Sequence, residues 1–200
     1  MKRIIITQRF EKIGKHRELR DSLDVRLSNL IEKLGYSSIP LPNNLKKINK
    51  FIYQVSPDGI ILSGGGDPLK KDKRHKNELK LIKYSIQKKI PLIGICRGAQ
   101  VLNIYFGGKI TKIRNHVRKT HRIFGPLISK KKNILVNSFH DYGFKQNLLG
   151  KNLKILARSS DKVVESFCHN KHNLLGIMWH PERYKNLKKF DINLIRKVFN

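Results

Sequence analysis

The sequence has few cysteines and few acidic residues, and it lacks any long apolar segment. Two cysteines in 200 residues are too few for the disulfide framework of a small secreted domain. No apolar run approaches the about 20 residues needed to span a membrane. The first residues are basic, but the apolar stretch that follows ends after three isoleucines, whereas a signal peptide needs roughly 7–15 apolar residues. We therefore expect a soluble, cytoplasmic protein with no membrane partner.

The scarcity of acidic residues leaves the chain strongly basic. Fourteen Asp and Glu against 43 Lys and Arg give a formal net charge of +29, far above the magnitude of about 2–8 that suits a small domain. A polyanionic partner, either nucleic acid or a phosphorylated small molecule, is one interpretation. The coding bias of an AT-rich genome, which also favours Ile and Asn, is the other. The charge is spread over the whole chain without an arginine-rich arm or an aromatic stacking motif, so we expect no nucleic-acid partner.

Short apolar strands alternate with amphipathic helices along the chain. The pattern predicts strands at 3–7, 37–41, 58–63, 90–95, 109–113, 134–137, 153–157, 163–168 and 174–179. It predicts helices at 21–34, 46–55, 78–88, 99–106 and 190–199. No repeat or linker interrupts this order, so residues 1–200 are expected to form a single domain. Regular β–α alternation predicts an α/β fold with three layers (αβα) around a mostly parallel central sheet.

The sequence Gly94-Ile95-Cys96-Arg97-Gly98 places a cysteine between a buried strand and a helix. This is the setting of a nucleophile elbow, a tight turn with small flanking residues that aims the sulfur out of the sheet. The free N–H groups at the start of the helix favour a thiolate and a developing oxyanion. Cys168 lies in an ordinary strand and is expected to be inert. We expect iodoacetamide to label Cys96, exposed at the helix start, faster than Cys168.

A nucleophilic cysteine needs a base, and the base needs a group that orients it. Residues 179–182 read Trp-His-Pro-Glu and follow an apolar strand. His180 and Glu182 lie two positions apart in an extended stretch, so their side chains leave the same side of the backbone. We therefore predict Cys96 as nucleophile, His180 as base and Glu182 as its orienting partner.

A second glycine-rich turn, Gly64-Gly65-Gly66, follows another inner strand. In a doubly wound sheet this turn and the elbow share the carboxyl edge, where ligands bind. Backbone N–H groups in such turns can bind an anion. The N–H groups of Gly65 and Arg97 are therefore the candidate oxyanion hole.

These segments together resemble the class I (Cys-His-Glu) glutamine amidotransferase domain. The likeness is strongest to its free-standing γ-glutamyl hydrolase branch, which includes γ-glutamyl-GABA hydrolase. It is carried by residues 91–103, 106–108, 136–140, 161–165 and 176–182. The resemblance implies a flavodoxin-like core, a γ-glutamyl thioester on Cys96, and neither metal nor organic cofactor. It also implies that Gln100 holds the glutamyl group, with Ser138 and His140 lining its pocket.

The leaving group is less well defined than the glutamyl part. Two basic clusters follow predicted strands that end at the carboxyl edge of the sheet, and they suit an anionic leaving group unless they only reflect the lysine excess. They comprise Lys70, Lys71, Lys73 and Arg74, and then Arg114, His116, Arg118, Lys119, His121 and Arg122. Within the family, a short basic chain is similar to hydrolases of γ-glutamyl-CDP-amidate, which implies release of glutamate and cytidine diphosphoramidate in capsular phosphoramidate biosynthesis. We expect this small-molecule, nucleotide-bearing substrate and no obligatory protein partner.

Three alternatives stay open at the level of sequence. The first is a γ-glutamyl-GABA-type hydrolase. The second is a glutaminase subunit that passes ammonia to a separate synthetase, which this chain is too short to contain. The third is a non-catalytic binding protein of the same fold, against which the presence of Cys96, His180 and Glu182 counts.

Overall fold

The computed structural model of the chain describes residues 1–128 and 133–200. The strands are β1 (Arg3–Thr7), β2 (Arg9–Ile13), β3 (Glu18–Ser22), β4 (Ser37–Leu41), β5 (Gly59–Leu62), β6 (Leu92–Ile95), β7 (Thr111–Lys112), β8 (Val117–Ile123), β9 (Ile134–Phe139), β10 (Tyr142–Gly143), β11 (Leu153–Arg158), β12 (Val164–His169) and β13 (Leu174–Ile177). The α-helices are α1 (Val25–Lys33), α2 (Ile48–Val55), α3 (Lys73–Lys88), α4 (Arg97–Tyr105) and α5 (Lys189–Phe199), and single 3₁₀ turns lie at Gln146–Leu148 and Pro181–Arg183. Among these described helices, none is long and apolar enough to cross a lipid bilayer.

A seven-stranded sheet forms the middle layer, in the order β11-β12-β13-β6-β5-β1-β4. The five strands from β13 to β4 run parallel, and β12 and β11 add an antiparallel edge. Numbered along the chain, the parallel strands have the order 2-1-3-4-5, which is the doubly wound order of flavodoxin-like folds. The predicted α/β class with a mostly parallel central sheet is therefore confirmed.

The two faces of the sheet are covered by different helices. Side chains of α1 and α5 pack with Ile4 and Ile6 of β1, whereas those of α2, α3 and α4 pack with Ile5. All three isoleucines are fully buried, each contributing about 1.5–3 kcal/mol by leaving water. Because both faces are covered, the inner strands are apolar throughout, and this is why the sequence pattern predicts them well. The assignment of residues 1–200 to a single catalytic domain stays a prediction.

The beginning of the predicted helix over 21–34 is wrong. Residues 9–22 instead form the antiparallel hairpin β2–β3, in which Asp21 accepts hydrogen bonds from the backbone and side chain of Asn43. Helix α1 begins at Val25 because the Asp24 carboxylate accepts the Arg26 N–H at 3.0 Å, as an N-cap does. The hairpin extends from the carboxyl edge of the sheet, beside the glycine turn.

Two further elements differ from the sequence prediction. Helix α3 begins at Lys73, five residues before the predicted start, because Asp72 caps it by accepting the His75 N–H. The predicted strand over 109–113 is reduced to the two residues of β7, and residues 117–123, predicted as loop, form β8 paired antiparallel with β9. The β8–β9 pair forms one wall of the candidate site.

Candidate active site

Four strand ends meet at the carboxyl edge of the sheet and surround a cavity of about 490 Å³. Arg9 follows β1, the glycine turn follows β5, Cys96 follows β6, and His180 follows β13. Six of the eight residues predicted for catalysis, the oxyanion hole and glutamyl binding line this cavity: Gly65, Cys96, Arg97, Gln100, His140 and His180. The cavity lies where a doubly wound sheet binds its ligands.

The backbone of Cys96 is strained. Its φ of 51° and ψ of −106° lie in a region that non-glycine residues rarely adopt, at a cost of about 1–3 kcal/mol. Gly94 and Gly98, which flank Cys96, must be glycines because neighbouring atoms leave no room for a side chain, not because their own φ requires glycine. A Cβ on Gly98 would lie 2.0 Å from the Leu62 carbonyl oxygen, and one on Gly94 would lie 2.7 Å from the Ala99 nitrogen. Tight packing of α4 against β5 therefore fixes the direction of the sulfur.

The expectation that Cys96 is the more exposed of the two cysteines is wrong. Cys96 is 6% exposed, whereas Cys168 in β12 is half-buried. Burial raises the pKa of the Cys168 thiol, which disfavours its reactive thiolate. Any preference for labelling Cys96 must therefore come from its charge environment and its cavity, not from its exposure.

Both the side chain and the backbone of His180 are fixed by hydrogen bonds. Its Nδ1 lies 2.6 Å from the Glu182 Oε1. The Asn137 side chain accepts the His180 N–H and donates to the His180 carbonyl, both at 2.8 Å. A Cβ on Gly64 would lie 2.6 Å from the His180 Cε1 and 3.5 Å from the Cys96 Cβ, so the imidazole and the cysteine adjoin over this glycine.

The charge state of His180 follows from its two neighbours. Burial by itself lowers the pKa of His180, but a thiolate at Cys96 and the Glu182 carboxylate outweigh burial and raise that pKa to about 9. The imidazole is therefore protonated at neutral pH, with the Cys96 side chain beside one part of the ring and a carboxylate at Nδ1. Such a pair provides both a nucleophile and a proton donor.

The glycine turn is held by a buried ion network beneath it. The Arg74 guanidinium donates to the carbonyls of Ser63 and Gly65 and pairs with Glu78, whose two oxygens also bind Arg97 at 2.6 and 2.7 Å. Burial lowers the pKa of Arg74 to about 10, which leaves it charged at neutral pH. Because Arg74 binds the carbonyls of the turn on the side away from the cavity, Gly65, at φ +80°, lines the cavity.

Of the three predicted glutamyl-binding residues, two line the described cavity and one does not. Gln100 lines the cavity and donates to the Tyr142 carbonyl at 2.6 Å. His140 also lines it, but its Nε2 is directed to Glu165, 3.8 Å away. The fully buried Ser138 hydroxyl donates to the His116 carbonyl at 2.5 Å and is not among the residues lining the described cavity. Ser138 can therefore reach a ligand only through its neighbours.

In the two basic clusters, some side chains are paired with buried carboxylates and others line the cavity or a neighbouring groove. Arg74 is buried against Glu78, and His116 and His121 face Glu165, so none of these three is free for a leaving group. Arg118 lines the cavity beside Cys96, and Lys70 lines a neighbouring groove. The groove of about 950 Å³ runs between hairpin β2–β3 and the glycine turn. Its lining includes Arg9, Lys12 and Lys70, together with Glu11, Asp67 and Asp72.

Sequence reasoning missed several residues of the site. Asn137 lies in the segment 136–140 that carries the family resemblance, but its hold on the His180 backbone depends on main-chain contacts that the sequence does not reveal. Phe139 packs edge-to-face on the His180 ring, with centroids 5.9 Å apart, and the Arg183 guanidinium lies 4.4 Å from the Phe139 ring centre. Arg9 covers Gly65 and lines both the cavity and the groove. Arg9 lies two positions after the end of the first strand, in a segment (residues 6–9) that also resembles the beginning of the family domain.

Comparison with known proteins gives the family of this chain. The model of the family described as glutamine amidotransferase class-I matches residues 17–199. The chain is 36% identical over 194 residues to a γ-glutamyl-CDP-amidate hydrolase of Campylobacter jejuni, covering 94% of this chain and 93% of the relative. The chain therefore belongs to the class-I glutamine amidotransferase family.

Solved structures support the fold independently. A protein from Thermoplasma acidophilum that is provisionally assigned as a GMP synthase component gives a TM-score of 0.71 at 19% identity, covering 100% of this chain and 93% of that one. A glutamine amidotransferase from Thermotoga maritima gives a TM-score of 0.67 at 16% identity, and the match covers 98% of this chain and 82% of that one. By family, the chain is a glutamine amidotransferase-like hydrolase.

Proposed function

We propose that the protein hydrolyses a γ-glutamyl amide bond, with Cys96 as nucleophile, His180 as acid and base, and Glu182 as the residue that orients His180. The observation that carries this proposal is the meeting of the Cys96 sulfur and the protonated His180 imidazole beside the glycine turn, with His180 bound to Glu182 at 2.6 Å. A thiolate beside an imidazolium at a helix start is an activated nucleophile.

In the first half-reaction, the Cys96 thiolate attacks the γ-carbonyl carbon and forms a carbon–sulfur bond. The resulting oxyanion accepts hydrogen bonds from the N–H groups of Gly65 and Arg97, which the ion network around Glu78 holds in position. The carbon–nitrogen bond then breaks, and His180 gives its proton to the departing nitrogen. A γ-glutamyl thioester remains on Cys96.

In the second half-reaction, His180 is neutral and takes a proton from a water molecule. The water oxygen bonds to the thioester carbonyl carbon, through a second oxyanion in the same hole. Collapse of this intermediate breaks the carbon–sulfur bond and releases glutamate. The Cys96 thiolate and the His180 imidazolium are restored.

The cavity suits the charges of a glutamyl group. Arg118 and Asp141 both line it and supply opposite charges for the α-carboxylate and the α-ammonium group. We assign Gln100 and His140 to the pocket wall, as the family resemblance implies, and Ser138 to supporting that wall through the His116 carbonyl.

The neighbouring groove is the place that we propose for the leaving group. It adjoins the cavity through Arg9, Gly66 and Arg97, and its walls include Arg9, Lys12 and Lys70. Its volume suits a group as large as a nucleotide. The likeness to a γ-glutamyl-CDP-amidate hydrolase supports γ-glutamyl-CDP-amidate as the substrate. The products would be glutamate and cytidine diphosphoramidate, made for capsular phosphoramidate biosynthesis.

The test is glutamate release from a panel of purified substrates: γ-glutamyl-CDP-amidate, γ-glutamyl-GABA and glutamine. We expect γ-glutamyl-CDP-amidate to give the highest kcat/KM. Turnover of glutamine alone, rising when a synthetase is added, would replace the proposal with that of a glutaminase that feeds ammonia to a partner.

Cys96→Ala is the variant that separates catalysis from binding. It removes the nucleophile, so we expect no glutamate release beyond the level of the buffer, while Cys168→Ala, the matched control, keeps wild-type turnover. Full activity of Cys96→Ala would overturn the proposed roles of all three residues.

A further inference from the structure

Three histidines and one glutamate from separate parts of the chain form a buried cluster behind the wall of the cavity. His116 precedes β8, His121 lies within β8, His140 follows β9, and Glu165 lies in β12. Glu165 is fully buried, and His116 and His140 are at most 3% exposed. The imidazole rings of His121 and His140 each stand about 5 Å from that of His116. No step of the proposed hydrolysis uses Glu165, His116 or His121.

All three rings direct a nitrogen to the same carboxylate. The distances to the Glu165 Oε1 are 3.2 Å from His121 Nε2, 3.4 Å from His116 Nδ1 and 3.8 Å from His140 Nε2. Within the described residues, none of these nitrogens and neither Glu165 oxygen has a partner that meets hydrogen-bond geometry. Five buried polar atoms without partners carry a free-energy cost that native proteins rarely leave uncompensated.

The opposite nitrogens of two rings are already bound. His140 Nδ1 lies 3.0 Å from the Tyr142 carbonyl oxygen, which accepts only if Nδ1 carries the proton. His116 Nε2 lies 3.0 Å from the Asp161 carboxylate, which likewise accepts a proton-bearing nitrogen. The Tyr142 carbonyl thereby sets His140 to the tautomer with a lone pair at Nε2, and His116 presents a lone pair at Nδ1 when Nε2 carries its single proton. This outer pairing is the arrangement typical of histidines that bind a metal.

We propose that His116, His140 and Glu165, completed by His121, bind a structural Zn²⁺ ion. Three imidazoles and one carboxylate are a donor set that suits zinc. In a tetrahedral site with Zn–N and Zn–O bonds of about 2.0–2.1 Å, neighbouring ligand atoms stand about 3.3 Å apart. The nitrogen-to-Oε1 distances bracket that value, and one ligand atom from each of His116, His140 and Glu165 lies within 4.8 Å of the others.

The ion would join the wall of the cavity to the sheet. Glu165 belongs to the central sheet, whereas the three histidines belong to the β8–β9 pair and its ends. Val117 and Arg118 of β8 line the cavity, and Phe139 at the end of β9 packs on the His180 ring. His121 lies outside the set whose ligand atoms all fall within 4.8 Å of one another, so its side chain must move inward to become the fourth ligand. Four protein ligands then leave no open position for substrate, and the ion stabilises the fold without taking part in the reaction. This proposal does not depend on the proposed hydrolysis.

The test is metal content and stability of protein prepared without a histidine tag. We expect about one zinc per chain by elemental analysis. Removal with a chelator should lower Tm, and added ZnCl₂ should restore it. CoCl₂ in place of zinc should give the strong visible absorption of tetrahedral cobalt. Zinc-free protein that neither changes Tm with ZnCl₂ nor absorbs with CoCl₂ would overturn the proposal and leave a cluster held by a protonated histidine.

Variants identify the ligands. His116→Ala and Glu165→Gln should abolish the cobalt spectrum, whereas His16→Ala, at an exposed turn, should keep it. Asp161→Asn keeps every ligand but weakens the outer partner of His116, so zinc affinity should fall about 10–100-fold with the fold intact. Unchanged affinity in Asp161→Asn, together with a cobalt spectrum in Glu165→Gln, would show that the ion binds elsewhere.

Discussion

The His180 imidazole is fixed before any substrate arrives. Glu182 binds its Nδ1, Asn137 binds both polar groups of its backbone, and Phe139 packs on its ring. In the base role that we propose for it, an imidazole held this way needs little reorganisation during the reaction, which is a general source of catalytic rate. The residue-scale expectations concern the charge of this ring and of the sulfur beside it.

We expect Glu182→Gln to lower kcat/KM about 10²–10⁴-fold, since an amide orients the imidazole but does not stabilise its charge. The alkaline limb of the pH profile should also move. Wild-type His180, with its pKa raised to about 9, loses its proton above that pH, so activity declines there. Without the carboxylate the pKa of His180 falls, and the decline begins at lower pH. Glu32→Gln, on an exposed face, is the control.

The expected shift of the alkaline limb can be checked by comparing the pH profiles of the wild type and Glu182→Gln. Kinetics of both proteins from about pH 6 to 10 span the titration of an imidazole in its ordinary and raised ranges. An alkaline limb that stays at the wild-type position in Glu182→Gln would mean that Glu182 does not set the charge of His180.

Thiol labelling tests the environment of the two cysteines. We expect iodoacetamide to modify Cys96 faster than Cys168, although Cys168 is the more exposed. The reason is charge: Cys96 adjoins a protonated imidazole and a helix start, whereas burial raises the pKa of the Cys168 thiol. Peptide mapping after timed quenching measures both rates. Faster modification of Cys168 would count against a thiolate at Cys96.

Among the elements, α3 and α4 are linked through the Glu78 carboxylate under the glycine turn. Replacing it by Gln leaves two buried guanidinium groups, Arg74 and Arg97, without their charge partner. We expect Glu78→Gln to lower the free energy of unfolding by about 3–5 kcal/mol. Urea denaturation measures this loss. Glu18→Gln removes the carboxylate of an exposed pair with Arg20, so its urea midpoint should not change. Equal midpoints for both variants would show that the buried network does not stabilise the fold.

Hairpin β2–β3 is the element that we expect to select the leaving group. Lys12 lines the groove, whereas Lys15 of the same hairpin is exposed and does not. Lys12→Glu should raise KM for γ-glutamyl-CDP-amidate roughly 2–5-fold, the size of an exposed charge effect, and leave KM for an uncharged γ-glutamyl amide unchanged. Lys15→Glu is the matched control. The same KM change in both variants would mean that the groove does not bind the leaving group.

The sequence predicts some elements well and others not at all, for a physical reason. Buried parallel strands such as β1 and β6 are continuous apolar runs, and these are readily identified. The strands β3 and β8 are mostly exposed and charged, so they carry no apolar periodicity. Their position is set by antiparallel pairing with β2 and β9, which a pattern of single residues does not reveal.

At the scale of the whole molecule, the fold brings together residues that are far apart in sequence. Cys96 and His180 meet because β6 and β13 are parallel neighbours whose carboxyl ends adjoin. The motifs around both residues, with the family resemblance, predict that they lie together, and their catalytic roles stay a prediction. The cluster around Glu165 was not predictable, since His116, His121 and His140 are ordinary residues until β8, β9 and β12 are placed side by side.

The central claim is that a γ-glutamyl group passes through Cys96, and one measurement tests it directly. The protein is quenched with acid during steady turnover of γ-glutamyl-CDP-amidate, and mass spectrometry of its peptides locates the acyl group. We expect the γ-glutamyl group on the peptide that contains Cys96, and no glutamate release by Cys96→Ala. A γ-glutamyl group on any other residue, or full turnover by Cys96→Ala, would contradict the claim.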